Sequence, residues 1–142
     1  MKSFVLILTT MLWSASGIAQ NSVLGKWKSI DDKTGQAKSI IEITERDGKV
    51  YGKIIKIFPT DPKRTDPVCD KCPTNDSRYN KKIFGMEIML DMKKDGDEYS
   101  GGNILDPEVG KIYRCKIWVE GNELKVRGYL GPFYRTQSWL RV

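Results

Sequence analysis

From residue 25 onward, apolar and polar residues alternate with a period of two, and no stretch keeps a helical period. Eight segments carry the alternation, at 25–30, 37–44, 50–58, 83–92, 99–105, 111–119, 123–130 and 133–142. In the second, Ser39, Ile41 and Ile43 oppose Lys38 and Glu42. The fourth sets Phe84, Met86, Ile88 and Leu90 on one face, and the sixth sets Tyr113, Cys115, Ile117 and Val119 against Arg114, Lys116 and Trp118. Leu124, Val126 and Gly128 form the inward row of the seventh. Turn residues separate the segments, among them Asp31 to Gly35, Asp47-Gly48, Asp95-Gly96, Asp106-Pro107, Gly121-Asn122 and Gly131-Pro132. Inside the fifth segment, the pair Gly101-Gly102 marks a bulge or sharp coil.

Eight sequential strands with short links predict an all-β fold, an eight-stranded antiparallel up-and-down β-barrel, which leaves no exposed edge. A β-sandwich is the competing arrangement. If the sheet closes, the first and last strands pair, and Trp27 lies beside Trp139 and Arg141. An arginine on the indole face would then plug one end of the barrel. Otherwise Trp27 is a core tryptophan with no special partner. In a barrel, alternate connections share an end, so the tight polar turns collect at the plugged end and the connections of variable length at the other. The result is a cup. One connection, 59–82, is long and holds Pro59, Pro62, Pro67, Pro73 and two close-set cysteines. Loops longer than about 12–15 residues are usually functional or mobile.

The first residues follow a different pattern. Lys2, an apolar run over 4–12, and the small residues Gly17 and Ala19 read as a signal peptide cut after Ala19. The run is shorter than the roughly 20 residues a bilayer needs, so no membrane span is expected. The domain plan is therefore a signal peptide over 1–19 and one domain over 20–142, exported to the periplasm or secreted. Loss of Lys2 takes the formal charge from +6 to +5, with lysines scattered along the chain. Scattered charge is the mark of a solvated exterior, and no basic stripe or reader motif points to nucleic acid.

The chain has three cysteines and no histidine. In an oxidising compartment Cys69 and Cys72 can close a small disulfide that clips the long loop, leaving Cys115 over. Two other readings of the cysteines stay open: a redox-active pair, and a zinc site that borrows Asp66 or Asp70. The absence of histidine removes Ser-His and Cys-His hydrolytic catalysis, and Pro73 stands where a haem-attachment motif needs histidine. The acidic pairs Asp31-Asp32 and Asp95-Asp97 occupy turns, which leaves Glu87 as the carboxylate to check for burial. No catalytic group, metal or cofactor is assigned.

An eight-stranded barrel is wide enough either to be filled by its own side chains or to hold one small ligand. The inward candidates are Trp27, Ile41, Ile54, Phe84, Met86, Ile88, Tyr113, Ile117, Val126 and Arg135, with Gln137 beside them. An apolar wall with a few polar groups is the usual make-up of a small-molecule site.

Gly25-Lys26-Trp27, Asp106-Pro107 with Gly110-Lys111 and Tyr113, Leu124, Val126 to Tyr129, and Arg135 to Trp139 together resemble a bacterial exported family catalogued as domain of unknown function 2147. The resemblance extends over the whole domain, Cys69 and Cys72 included. It implies a lipocalin-like (calycin) barrel with no established activity. The glycine, any residue, tryptophan start is also similar to the first lipocalin strand, with Arg141 as the arginine that covers the indole. Lipocalins usually carry their large lid between the first two strands, whereas here the long link follows the third. The expectation is an exported protein that binds a small apolar or amphipathic molecule. A cell-envelope interaction module using 59–82 is the alternative, and a thiol-redox protein a further one.

Overall fold

The computed structural model describes residues 22–142, so the expected leader lies outside the described residues. The strands are β1 (Gly25–Ile30), β2 (Ala37–Arg46), β3 (Lys49–Ile57), β4 (Glu87–Asp95), β5 (Glu98–Asp106), β6 (Lys111–Glu120), β7 (Glu123–Leu130) and β8 (Phe133–Arg141). Each pairs antiparallel with the next, and β8 returns to β1, closing the barrel. The alternation explains the closure. Trp27, Ile41, Ile43, Ile117 and Leu124 are fully buried on the inside, while Lys53, Arg114 and Lys116 of the same sheet face outward. An apolar interior under a charged exterior is the reverse of the pattern of a membrane-spanning barrel.

The closing seam is short. Trp27 sits opposite Arg141 and Lys28 opposite Leu140, and the Val142 amide donates to Lys26 O at 3.1 Å. Three residues before β1 run under this end of the barrel. The Trp27 indole N–H donates to Val23 O at 2.8 Å, and Arg141 Nη2 donates to Ser22 O at 2.8 Å. Gly25 makes the turn between that segment and β1 at φ 118°, a conformation that L side chains rarely adopt, and a Cβ there would meet Arg141 Nη1 at 3.4 Å. Trp139 is buried two residues before Arg141, with its indole N–H donating to Gln137 Oε1 at 3.3 Å.

β4 departs from the expected 83–92. It starts at Glu87, and Phe84 is 59 % exposed, not inward. The reason is local: Gly85 turns the chain at φ 83°, and its amide donates to Ile54 O at 2.8 Å before the Ile54 amide donates to Met86 O at 2.9 Å. Beyond that turn the period of two breaks again. Ile88 and Met89 are consecutive and both buried, Leu90 is only half-buried, and the register with β3 shifts on either side of Gly52. Asp91 at φ 58° takes up part of the shift. The bulge expected at Gly101-Gly102 is present as a register shift between Tyr99 and Gly102.

The connection 58–86 is held down by its own hydrogen bonds. Val68 bridges Lys82, the Cys69 amide donates to Lys81 O at 2.8 Å, and the Asn80 amide donates back to Cys69 O at 2.9 Å. Cys69 and Cys72 form a disulfide, and both are buried with the core. Arg78 grips both Asp76 carboxylate oxygens at 2.9 Å and donates to Glu87 O at 3.0 Å, tying the loop to the start of β4. The Arg78 side chain above all holds the Asp76 carboxyl below its ordinary pKa, outweighing the opposing effect of burial with help from the Arg78 amide. The disulfide turn seats on the β5–β6 turn at Gly110, where a Cβ would come within 1.7 Å of Lys71 O.

Candidate functional site

The interior divides into a packed floor and an open chamber. Trp27, Ile43, Val50, Met89, Met92, Ile117 and Leu124 are buried in the floor. Above them a cavity of about 290 Å³ opens toward the end that carries the long loop. Ile41, Ile54, Ile88 and Val126 form its apolar wall, Gln137 lies opposite Val126, and Tyr113 and Arg135 add polar groups nearer the mouth. Ile57, Phe58, Pro67 and Ile83 bring the ends of the 58–86 connection against it.

Six of the ten sequence candidates therefore meet in one chamber: Ile41, Ile54, Ile88, Tyr113, Val126 and Arg135. Four do not. Trp27 and Ile117 are fully buried in the floor, because both belong to the plugged half of their strands. Met86 is buried but lies outside the cavity lining, held against β3 by its carbonyl. Phe84 lines a shallow outer depression with Lys53, Arg78 and Lys81.

Other lining groups were not singled out from the sequence. Ser29 is buried, and its hydroxyl lies 2.8 Å from that of Ser39 across the β1–β2 pair. Its position two residues after Trp27, on the same face, is the signal that could have found it. Ile104 and Leu105 are consecutive, yet both line the cavity, and strict alternation conceals one of them.

Two ion pairs cross the mouth between elements far apart in sequence. Arg135 on β8 grips Asp32 in the β1–β2 turn through both carboxylate oxygens, bridging β1 and β8 beyond the paired seam. Each shifts the other away from neutrality: the arginine lowers the Asp32 pKa, and the aspartate raises that of Arg135. Lys38 on β2 donates to Glu108 at 2.9 Å. Burial works against charge on Lys38, but Glu108, Asp106 and Asp31 outweigh it and raise its pKa. Arg135 and Lys38 are thus matched by carboxylates, while Arg64, Asp61, Asp70 and Asp106 also line the cavity and join no ion pair among the described residues.

The thiol chemistry is confined. Cys115 is 3 % exposed on β6, and burial pushes its pKa to about 12. The Cys69 and Cys72 sulfurs are buried as well, and disulfide exchange needs access for the attacking thiolate. Glu87 on β4 is partly exposed and meets Arg46 at 3.1 Å, an ion pair on the outer surface. Among the described residues no helix is long and apolar enough to cross a membrane.

An eight-stranded up-and-down barrel, plugged at one end by an indole under a guanidinium and hollow at the other, is a lipocalin-like barrel. It is similar to protein HP1028 from the human pathogen Helicobacter pylori, described as belonging to the lipocalin family, with a TM-score of 0.71 over 85 % of this chain and 83 % of that one. The two sequences are 21 % identical, so the likeness is one of fold. The chain belongs to the bacterial family described as "Uncharacterized protein conserved in bacteria (DUF2147)", which matches residues 25–141. No curated protein matches its sequence.

Proposed function

We propose that this protein is an exported bacterial binding protein that holds one small amphipathic molecule in the barrel chamber. The observation that carries the reading is the cavity of about 290 Å³ above a closed floor. Its size is at the lower end of the range of about 300–1,000 Å³ found for small-molecule pockets, which favours a compact body or one short chain over a two-tailed lipid. The apolar part would lie between Ile41, Ile54, Ile88 and Val126, with its polar end toward Tyr113 and Ser29. Because Arg135 and Lys38 are already paired and the remaining charged lining is Arg64 with Asp61, Asp70 and Asp106, a neutral or zwitterionic head suits the mouth better than a strong anion. The leader pattern at 1–19 and the disulfide support export.

Native mass spectrometry of the purified protein, followed by titration with a fluorescent short-chain probe, tests this. We expect one saturable site per chain. Val126→Phe, which places a ring in the chamber, abolishes probe binding while the barrel still unfolds cooperatively. Undiminished binding in that variant would place the ligand elsewhere.

A further inference from the structure

The open rim carries a second feature that the cavity does not use. Phe133 is 76 % exposed, Tyr134 63 % and Leu130 52 %, all at the β7–β8 turn, where Leu130 pairs with Phe133 and Tyr129 with Tyr134. The neighbouring β5–β6 corner adds Val109 at 49 % and Ile112 at 37 %. These side chains form an exposed apolar tip beside the cavity mouth.

Cations flank the tip. Arg114 on β6 lies over the Tyr129 ring at 5.7 Å, and Arg127 on β7 lies over Tyr134 at 4.5 Å with its Nε donating to Thr136 at 2.8 Å. Lys111 precedes Ile112 at the start of β6. Among the described residues, none of these three cations joins an ion pair with a carboxylate; Asp106 stands opposite Lys111 in the β5–β6 register, while Asp32 and Glu108 are engaged by Arg135 and Lys38. The tip therefore combines exposed apolar side chains, neighbouring tyrosines and three cations against the single carboxylate, Asp106, in register with them.

We infer that this tip docks the open rim onto a bilayer carrying anionic lipid headgroups. Interfacial binding grows with buried apolar area and with attraction between basic residues and anionic lipid, and the tip supplies both. Tyrosine has an apolar ring and a polar end, which suits the headgroup level. The three cations that join no ion pair favour an anionic surface over an uncharged one. A docked rim would turn the chamber mouth toward the leaflet.

Vesicle co-sedimentation tests the inference, using the chain from Gln20 on, which carries all eight strands. Vesicles of phosphatidylcholine with phosphatidylglycerol should bind it, vesicles of phosphatidylcholine alone should bind it more weakly, and added salt should weaken the former. Leu130→Ser with Phe133→Ser should reduce binding at least about tenfold. Lys111→Gln with Arg114→Gln should cost about tenfold on anionic vesicles only. Leu140→Ser, at the plugged end, should change nothing. Absence of binding by the unaltered protein, equal binding by the Leu130/Phe133 variant, or equal loss in the Leu140 variant would overturn the inference. So would a dimer in solution that the Leu130/Phe133 variant dissociates, since a second copy would then cover the tip. Probe binding in the chamber is read separately on every variant, so failure of docking and failure of the binding-protein reading are distinguishable.

Discussion

The Arg141 guanidinium lies 4.0 Å from the centre of the Trp27 ring, joining the last strand to the first across the whole length of the chain. Arg141 also donates to Ser22 O and Leu24 O, so one side chain holds the indole, the seam and the segment that crosses beneath them. A cation over an aromatic ring contributes about 0.5–2 kcal/mol, and hydrogen bonds from charged donors about 1.5–3 kcal/mol.

Arg141→Ala should therefore lower the unfolding free energy by at least about 2 kcal/mol. Arg141→Lys should recover only part of it, because an ammonium lacks the planar fork that reaches two carbonyls. Urea unfolding followed by circular dichroism measures both. Equal stability of the alanine variant and the native protein would mean that the indole plug stands without its cover.

Gly110 and Gly35 have the same φ of 72°, but only Gly110 faces a neighbour, Lys71 O at 1.7 Å from an added Cβ. Gly35→Ala should cost about 1–2 kcal/mol, the strain of the left-handed conformation alone. Gly110→Ala should cost distinctly more and should expose the 58–86 connection to limited proteolysis, because the disulfide turn must lift from its seat. Matching losses in the two variants would show that the seat does not hold the loop.

Thiol titration should find no reactive thiol in the folded protein, one after unfolding without reductant, and three after unfolding with reductant. The Cys115 thiol, pushed up from 9.0 to about 12 by burial, also gives a pH dependence. Its folded pKa is raised, so the stability tied to the neutral thiol is complete below pH 9.0 and declines as pH rises through the window to about 12. The decline approaches about 1.4 kcal/mol per pH unit for this one group. Cys115→Ala should flatten it, which denaturant titrations across the alkaline range will detect over the background of other titrating groups.

The strands β1 and β7 were legible to the residue, and most others to within two residues, because an inside facing only apolar neighbours and an outside facing water impose strict alternation. Arg141 and Trp27 could be paired from sequence because closure itself brings the chain ends together. β4 departs from the expected 83–92 where alternation gives way. Phe84 and Met86 continue the rhythm of Ile88, but Gly85 turns the chain before the ladder begins and bulges then bury Ile88 and Met89 side by side. The cavity wall was visible as a row of inward residues, yet how deep the packed floor rises was not. That level depends on how Met89, Met92 and Ile117 meet from different strands. The rim pairs Asp32–Arg135 and Lys38–Glu108 had no sequence signal, since each joins residues whose proximity exists only once the barrel is closed.

The pairing of Trp27 with Arg141 also bears on folding. A folding polypeptide can assemble hairpins one after another, but it cannot complete this structure until β8 is available to meet β1. Every earlier intermediate is a curled sheet with two raw borders and an uncovered tryptophan, open to adhesion with its neighbours. Long-range closure of this kind is slow, and the interval before it is when such a chain is most vulnerable.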